Sequence, residues 1–376
     1  MTLPPEPIEI TQDMQNIWGR PLAAVGCTVC GQAHLIAEKG ATYTCPNCGS
    51  ANMEPQPAML RQEPPELYLP FAESITNAKQ KLMAFRKKVW FAPDDFTAEN
   101  LDSRLTAVYL PVWLIDCTVE GHWKAETGFN YQIKSSQENF QSGDWHTKEI
   151  IKTRVRWEPR AGTIKRTYNN VSVPAFNGYA KFVDELGKFS LDLATRYDSK
   201  ILNNSLVRIP DLSPENAWPI AKDNLDKLAR HDCQKAVSAD HSREFAIQAA
   251  YTNPNWTQLL LPVYFTWYTD ENNAPVPIYI HGQTGKIAGA CLSSQRKGWK
   301  LAGIAALIAA GLFLLSLLSF AGAALLPFLS ILGVLLAIFA FLAGIFAVFP
   351  AIYPWQWNRQ QQEEIIVKTP ANETHS

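Results

Sequence analysis

Residues 301–358 read LAGIAALIAAGLFLLSLLSFAGAALLPFLSILGVLLAIFAFLAGIFAVFPAIYPWQWN, a run without Asp, Glu, Lys, Arg or His. One membrane-crossing helix needs about 20 apolar residues, so this stretch is long enough for two. Gly322 and Pro327 punctuate its middle, where such residues break a helical pattern. The expectation is a transmembrane helical hairpin, residues 300–320 and 327–349, with Pro350 ending the second helix. Arg296, Lys297 and Lys300 flank its start and Arg359 its end, while the tip carries no charge. Positive residues stay on the cytoplasmic side. The reading is therefore an integral protein of the inner membrane with both termini cytoplasmic. Trp299, Tyr353, Trp355 and Trp357 stand where aromatic rings meet headgroups.

Small residues mark one face of each helix: Ala302, Ala306 and Ala309 on the first, Gly333, Ala337, Ala340 and Gly344 on the second. Such faces let backbones approach closely in lipid. They serve packing within the hairpin or, on a sharper reading, a homodimer through the second helix. The spans hold no ionisable group, which argues against an ion or proton path.

Outward from this stretch, the chain has 376 residues, with 34 Lys and Arg against 35 Asp and Glu, a net charge of -1. That balance provides no general attraction to nucleic acid. Residues 1–15 lack the basic and apolar regions of a secretory signal. Seven cysteines, four of them clustered, suit a reducing compartment rather than a disulfide framework.

The cluster is Cys27-Thr-Val-Cys30-Gly31 and Cys45-Pro-Asn-Cys48-Gly49. Two Cys-x-x-Cys knuckles around a short β-rich stretch point to a zinc ribbon. Cysteines three apart bend around one ion on a tight turn, and the following Gly lets the backbone close in. Cys27, Cys30, Cys45 and Cys48 would hold one structural Zn2+. Iron in a rubredoxin-like site is the rival. Basic residues near the ribbon are too few for phosphate binding, so a protein partner is expected there.

In chain order the expected parts are a flexible leader (1–20), the ribbon (21–50), a Pro-rich linker (51–66), a first α/β repeat with a basic β-hairpin (67–208), a second α/β repeat (209–295), the membrane hairpin (296–358) and a cytoplasmic tail (359–376). The fold class is an α+β soluble body with an N-terminal zinc ribbon and a C-terminal transmembrane helical hairpin. The repeat rests on Leu110-Pro-Val-Trp113 and Leu261-Pro-Val-Tyr264. Each is preceded by a helical pattern and followed by a turn, at Glu120 and Gly121 in the first copy and at residues 270–273 in the second. Ser213 and Pro214 start the second helix as N-cap and first helical residue. Residues 152–168, with Arg154, Arg156, Arg160, Lys165 and Arg166, read as a basic hairpin with one charged face. A solvated face, anionic lipid headgroups or nucleic acid would explain it. His281-Gly-Gln-Thr-Gly-Lys286 superficially resembles a phosphate loop, but its spacing is wrong for one, and a β-turn is expected.

An enzyme needs a converging constellation. His122, His146 and Asp116 are the nearest approach to one, and no pair of histidines has metal-ligand or triad spacing. No catalytic residue and no cofactor other than zinc is assigned. The expected action is that of a membrane-tethered adaptor or assembly factor binding another protein; the alternative is a membrane-tethered nucleic-acid-binding protein using residues 152–168.

The order of parts, with Leu69-Pro-Phe-Ala72, Tyr109-Leu-Pro-Val-Trp-Leu-Ile-Asp116, Leu261-Pro-Val-Tyr264, the 281–286 turn and the terminal apolar hairpin, resembles a family of bacterial zinc-ribbon membrane proteins of unassigned function. Members are sometimes labelled primosomal helicase, a label this chain does not support, since it has no Walker loop. The family's turn usually opens with Asn, where this chain has His281. The resemblance implies an architecture and no catalytic residues.

Overall fold

A computed structural model describes residues 10–19, 21–36, 43–55, 61, 63–141, 143–202, 205–323 and 326–367. In chain order the elements are α1 (Gln12–Trp18), β1 (Ala23–Cys27), β2 (Ala33–Ile36), β3 (Met53–Pro55), β4 (Leu67–Tyr68), α2 (Ile75–Arg86), α3 (Ala98–Ser103), β5 (Thr106–Gln141), β6 (Asp144–Pro174), α4 (Tyr179–Leu186), β7 (Thr195–Arg196), β8 (Ser205–Arg208), α5 (Pro214–Ala236), β9 (His241–Thr269), β10 (Pro275–His281), β11 (Ile287–Gly289), α6 (Gln295–Gly322) and α7 (Leu329–Val367). Hydroxyl caps start α2, α3, α5 and α6, and of these Ser213 is the one expected from the sequence. Ser74, Thr97, Ser213 and Ser294 accept the amides of Asn77, Asn100, Asn216 and Lys297.

The chain forms two compact units, and β5 and β9 contribute to both. The first comprises residues 1–111, 178–209 and 260–376. In it β2 pairs antiparallel with β1 and with β8, β8 runs parallel to the start of β5, and β10 joins β9 to β11. One core gathers Met14, Trp18, Leu35, Tyr109 and Val207. A second packs Ala78 and Leu82 of α2 with Phe96 against Tyr264, Tyr268 and Ile278.

The second unit comprises residues 112–177 and 210–259. Here α5 lays Ala217, Ala221, Leu225 and Ala229 on Trp113, Ile115 and Cys117 of β5. Alanines at this spacing let the helix approach the sheet closely. Trp113 Nε1 donates to the carbonyl of Leu212 at 2.9 Å.

Six expectations need correction. The leader is not featureless over its described part: α1 buries Met14 and Trp18, while residues 1–9 and 20 lie outside the described residues. The linker contains β3, which pairs with β1 (Cys27 opposite Met53), and residues 56–60 and 62 lie outside the described residues. The two repeats are not separate domains. The helix before the first Leu-Pro-Val packs on the strand carrying the second, and the helix before the second packs on the strand carrying the first.

The turn expected at Glu120 and Gly121 does not exist, because β5 runs straight through it. Gly121 is needed there for another reason: a Cβ at this position would strike the backbone of Gln248. Nor do residues 152–168 form a hairpin. They lie in β6, whose partner is β5 in one register from Cys117↔Tyr168 to Gln141↔Asp144.

Finally, α7 does not stop at Pro350. It continues through Pro350 and Pro354 to Val367. Its later turns are tied to the body. Trp357 Nε1 donates to Cys291 O at 2.6 Å, and the Asn358 amide exchanges two 2.8 Å bonds with the Ser293 backbone. Those contacts offset the amide bonds that the prolines remove.

Candidate metal centre

The cysteine cluster sits on two turns of the same design. In the first, leaving β1, Gly31 N–H donates to Cys27 O at 2.8 Å; in the second, Gly49 N–H donates to Cys45 O at 2.9 Å. Gly31 and Gly49 have φ of 72° and 71°, a left-handed conformation that favours glycine. The amides of Cys30 and Val29 point at the Cys27 sulfur, and those of Cys48 and Asn47 at the Cys45 sulfur. All four Sγ atoms lie within 4.8 Å of one another. Cys27 and Cys48 sulfurs are 3.5 Å apart, those of Cys30 and Cys45 3.6 Å. A tetrahedral ion with bonds of about 2.3 Å sets sulfurs about 3.8 Å apart. The donor set therefore fits a metal ion.

The electrostatics agree with that fit. Burial pushes the Cys45 thiol up, and burial likewise raises Cys48 to about 11. At Cys27 burial also opposes ionisation, but the amides of Cys30 and Val29 together with the Cys48 and Cys30 thiols outweigh it and bring the thiol down to about 7. A cation among the sulfurs deprotonates coordinating thiols outright. Among the described residues this is the one group of three or more His, Cys, Asp or Glu side chains placed to share a metal ion.

The cluster is fastened to the body. Tyr279 donates its hydroxyl to Pro46 O at 2.9 Å. A Cβ on Gly49 would meet Pro275 and Trp267. His34 and Leu35 of β2 pair with Arg208 and Val207. The contact partners were invisible in sequence because they lie more than a hundred residues away.

Cys117, Cys233 and Cys291 are buried thiols whose pKa burial raises, Cys291 to about 12. They stand apart from the cluster. The histidine and carboxylate set considered for catalysis does not converge. Asp116 Oδ1 accepts the Asn170 amide at 2.7 Å beside a bulge. His122 is opposite Thr163 and His146 opposite Asn139, far apart along the β5–β6 ribbon.

His281 closes its turn. Nδ1 accepts the amides of Gln283 (3.1 Å) and Thr284 (3.3 Å), and Nε2 faces Lys188 O at 3.3 Å. Because Nδ1 accepts two amides, the proton belongs on Nε2, facing the Lys188 carbonyl; burial lowers the ring's pKa in the same sense. A side-chain acceptor two residues ahead of a free amide is what an Asn would supply in the same place. Gly285, with φ of 69°, leaves room for Lys81, which pairs with Glu73 at 2.8 Å.

Two helices are long and apolar enough to cross a membrane, Gln295–Gly322 and Leu329–Gln361. They expose most of their large side chains, Leu307 at 75% and Phe346 at 73% among them. Ala302, Ser316, Gly333 and Ala340 are buried, Ala309, Ala337 and Gly344 partly so, and Ala306 is exposed. Ser316 Oγ donates to Gly333 O at 2.8 Å. Trp299 and Trp355 face outward, whereas Trp357 is taken into the body's core.

These features define a class: a mixed α/β protein with a four-cysteine cluster near its N-terminus and two apolar C-terminal helices. The chain is similar to the uncharacterized protein YdjG of Bacillus subtilis (strain 168), 24% identical over 262 residues, which cover 69% of this chain and 73% of YdjG. No family model matches the chain, and no solved structure matches it.

Proposed function

We propose that the chain is a non-enzymatic, membrane-anchored zinc-ribbon protein acting as an adaptor or assembly factor on the cytoplasmic face through contacts with another protein. The observation that carries this reading is the closed four-sulfur shell. Four thiolates satisfy a tetrahedral Zn2+ and leave no position for substrate water, so the ion staples the fold. The twin-knuckle geometry favours zinc over redox use of either cysteine pair.

Anchoring in the inner membrane is supported by the outward apolar surface of α6 and α7. Patches of that extent in water mark membrane or protein contact. The cytoplasmic placement of both ends rests on the cations at the base of the hairpin. Packing of Ala302 and Ala340 accounts for the small faces within one chain; a homodimer through α7 would use its remaining surface.

The alternative, a nucleic-acid-binding protein using residues 152–168, draws less support. Arg156 and Arg160 pair with Glu158, Lys165 with Glu120, and Arg166 with Asp232, at 2.6–3.2 Å. Paired cations release few counterions.

The test is purification of the intact chain from membranes in mild detergent, beside Cys45→Ser, each with and without nuclease. The reading expects retention in alkali-washed membranes, one zinc per native chain, and protein partners that survive nuclease but are lost with Cys45→Ser. Partners lost on nuclease treatment of the native chain would overturn it in favour of the alternative.

A further inference from the structure

The loop between α2 and α3 runs against the base of the apolar helices. It reads Lys87-Lys-Val-Trp90-Phe91-Ala-Pro93, and it belongs to the same compact unit as α6 and α7. Its backbone is laced along the start of α6. The Trp90 carbonyl accepts Ser293 Oγ, the Phe91 carbonyl accepts the Ser294 amide, and the Ala92 carbonyl accepts Lys297 Nζ, each at 2.7 Å. On the α7 side the Trp90 amide donates to the Tyr353 hydroxyl at 3.3 Å. Phe91 has φ of 57°, a left-handed conformation that a bulky residue rarely adopts. Such strain persists where the surroundings hold it, and these bonds do so.

A loop fastened in this way ordinarily turns its large apolar side chains inward. Val89 is buried, but Trp90 is 59% exposed. The Trp90 ring lies against Phe349 and Tyr353 of α7, with centroids 5.5 and 5.7 Å away. The height of that contact along the helices is defined. A Cβ on Gly298 of α6 would meet the Pro350 carbonyl and the Pro354 ring of α7, so Trp299 and Trp355 stand at the height of Tyr353. Both face outward, 64% and 52% exposed. Trp90 therefore joins a set of outward indoles at the end of the apolar span, contributed by the loop, α6 and α7.

The charges around the loop are compatible with that level. Lys87 and Lys88 are exposed, and the loop has no acid before Asp94. The neighbouring acids are engaged. Asp94 pairs with Lys297 at 2.7 Å and Asp95 with Arg104 at 2.6 Å, while Glu271 accepts Ser294 Oγ and the Arg296 amide at 3.0 Å.

We propose that the 87–91 loop is a second membrane contact: Trp90 lies in the headgroup layer of the bilayer that α6 and α7 cross, and it seats this compact unit on the membrane surface. Indole rings favour that layer. The exposed Trp90 ring is continuous with Phe349 and the outward apolar surface of α7, so lipid that covers Phe349 reaches Trp90 as well. This inference rests on the membrane-anchored reading.

The test uses the full chain reconstituted into phosphatidylcholine vesicles whose acyl chains are brominated near the headgroup or near the bilayer centre. The emission of Trp90 is the difference between the native chain and Trp90→Phe, and both chains are subjected to alkaline extraction. The seat predicts loss of most of that emission with bromine near the headgroup, a smaller loss with bromine at the centre, and little quenching by acrylamide in the water. Without any substitution, a lipid carrying a photoactivatable diazirine beside its headgroup should label the native chain within residues 89–104; labelling of α6 and α7 alone overturns the seat. An alkali-resistant chain whose Trp90 is unquenched by either lipid and open to acrylamide overturns the seat and keeps the anchor. Trp90 shielded from acrylamide yet unquenched by lipid assigns it to a protein surface, a second copy of this chain in these vesicles, and overturns the proposal. A chain released by alkali overturns the anchor, and the seat with it.

Discussion

The Tyr279 hydroxyl donates to the carbonyl of Pro46 at 2.9 Å, joining strand β10 to the second cysteine knuckle. Burial raises the Tyr279 pKa, so the hydroxyl keeps its proton as a donor. The bond spans 233 positions of sequence. It makes the cysteine cluster part of the body's sheet rather than a module on a tether.

Tyr279→Phe removes this donor and leaves a buried carbonyl short of a partner. The expected cost is about 1 kcal/mol. If the cluster holds an ion, chelator competition on the full chain should release it faster than from the native protein, with the two knuckles otherwise folded.

Cys45→Ser should be felt beyond residues 21–50. Losing a buried ligand is expected to lower the unfolding midpoint by roughly 10 °C, since each kcal/mol shifts a domain of this size by ~2–4 °C. Amide exchange should quicken in β8, which pairs with β2, as well as in the knuckles. Acceleration confined to residues 21–50 would restore the tethered module that the sequence suggested.

His34 and Asp95 should both make stability fall on the acid side. His34 is buried, and burial, with the charge of Arg208, brings its pKa down to about 3 from 6.5. The unfolded chain binds a proton there that the folded chain refuses. Stability is therefore lost as pH falls from about 6.5 towards 3. His34→Leu should flatten this slope in denaturant titrations across that window.

Asp95 behaves differently. Burial opposes its ionisation, but Arg104 (2.6 and 2.9 Å) and the Thr269 amide (2.7 Å) outweigh that and hold its pKa below 3.8. A depressed carboxylate contributes stability above its unfolded pKa and loses it as pH falls through the folded one. Asp95→Asn should cost about 2 kcal/mol at neutral pH and remove the part of the acid transition below about pH 4.

Gly298 lies against the carbonyl of Pro350 and the ring of Pro354. Gly298→Leu should force α6 and α7 apart at their base while leaving their apolar length unchanged. Alkaline extraction should still find the chain in membranes, and disulfide trapping between introduced cysteines on the two helices should fail.

Much of this was readable locally. The knuckles, the cap at Ser213, the turns after Asp270 and His281, and the apolar helices depend on neighbours within a few positions. What misled depended on distant partners. Gly121 looks like a turn residue, yet it is required by the backbone of Gln248 crossing it. Pro159 and Gly162 suggest a reversal, but Gly162 lies beneath the Trp123 ring inside a continuous strand. Pro350 reads as a helix stop because Cys291 and Ser293, which hold the helix beyond it, are some sixty positions earlier. The packing of α5 on the start of β5 and of α2 on the end of β9 could not be inferred from either stretch alone.

Zinc-edge X-ray absorption on the full chain, purified from membranes in mild detergent and quantified for metal, reads the ion and its ligands together. A closed zinc site gives one zinc per chain with four sulfur neighbours at about 2.3 Å. Iron in the cluster, a nitrogen or oxygen replacing one sulfur, or a metal-free chain with its four cysteines oxidised would contradict it.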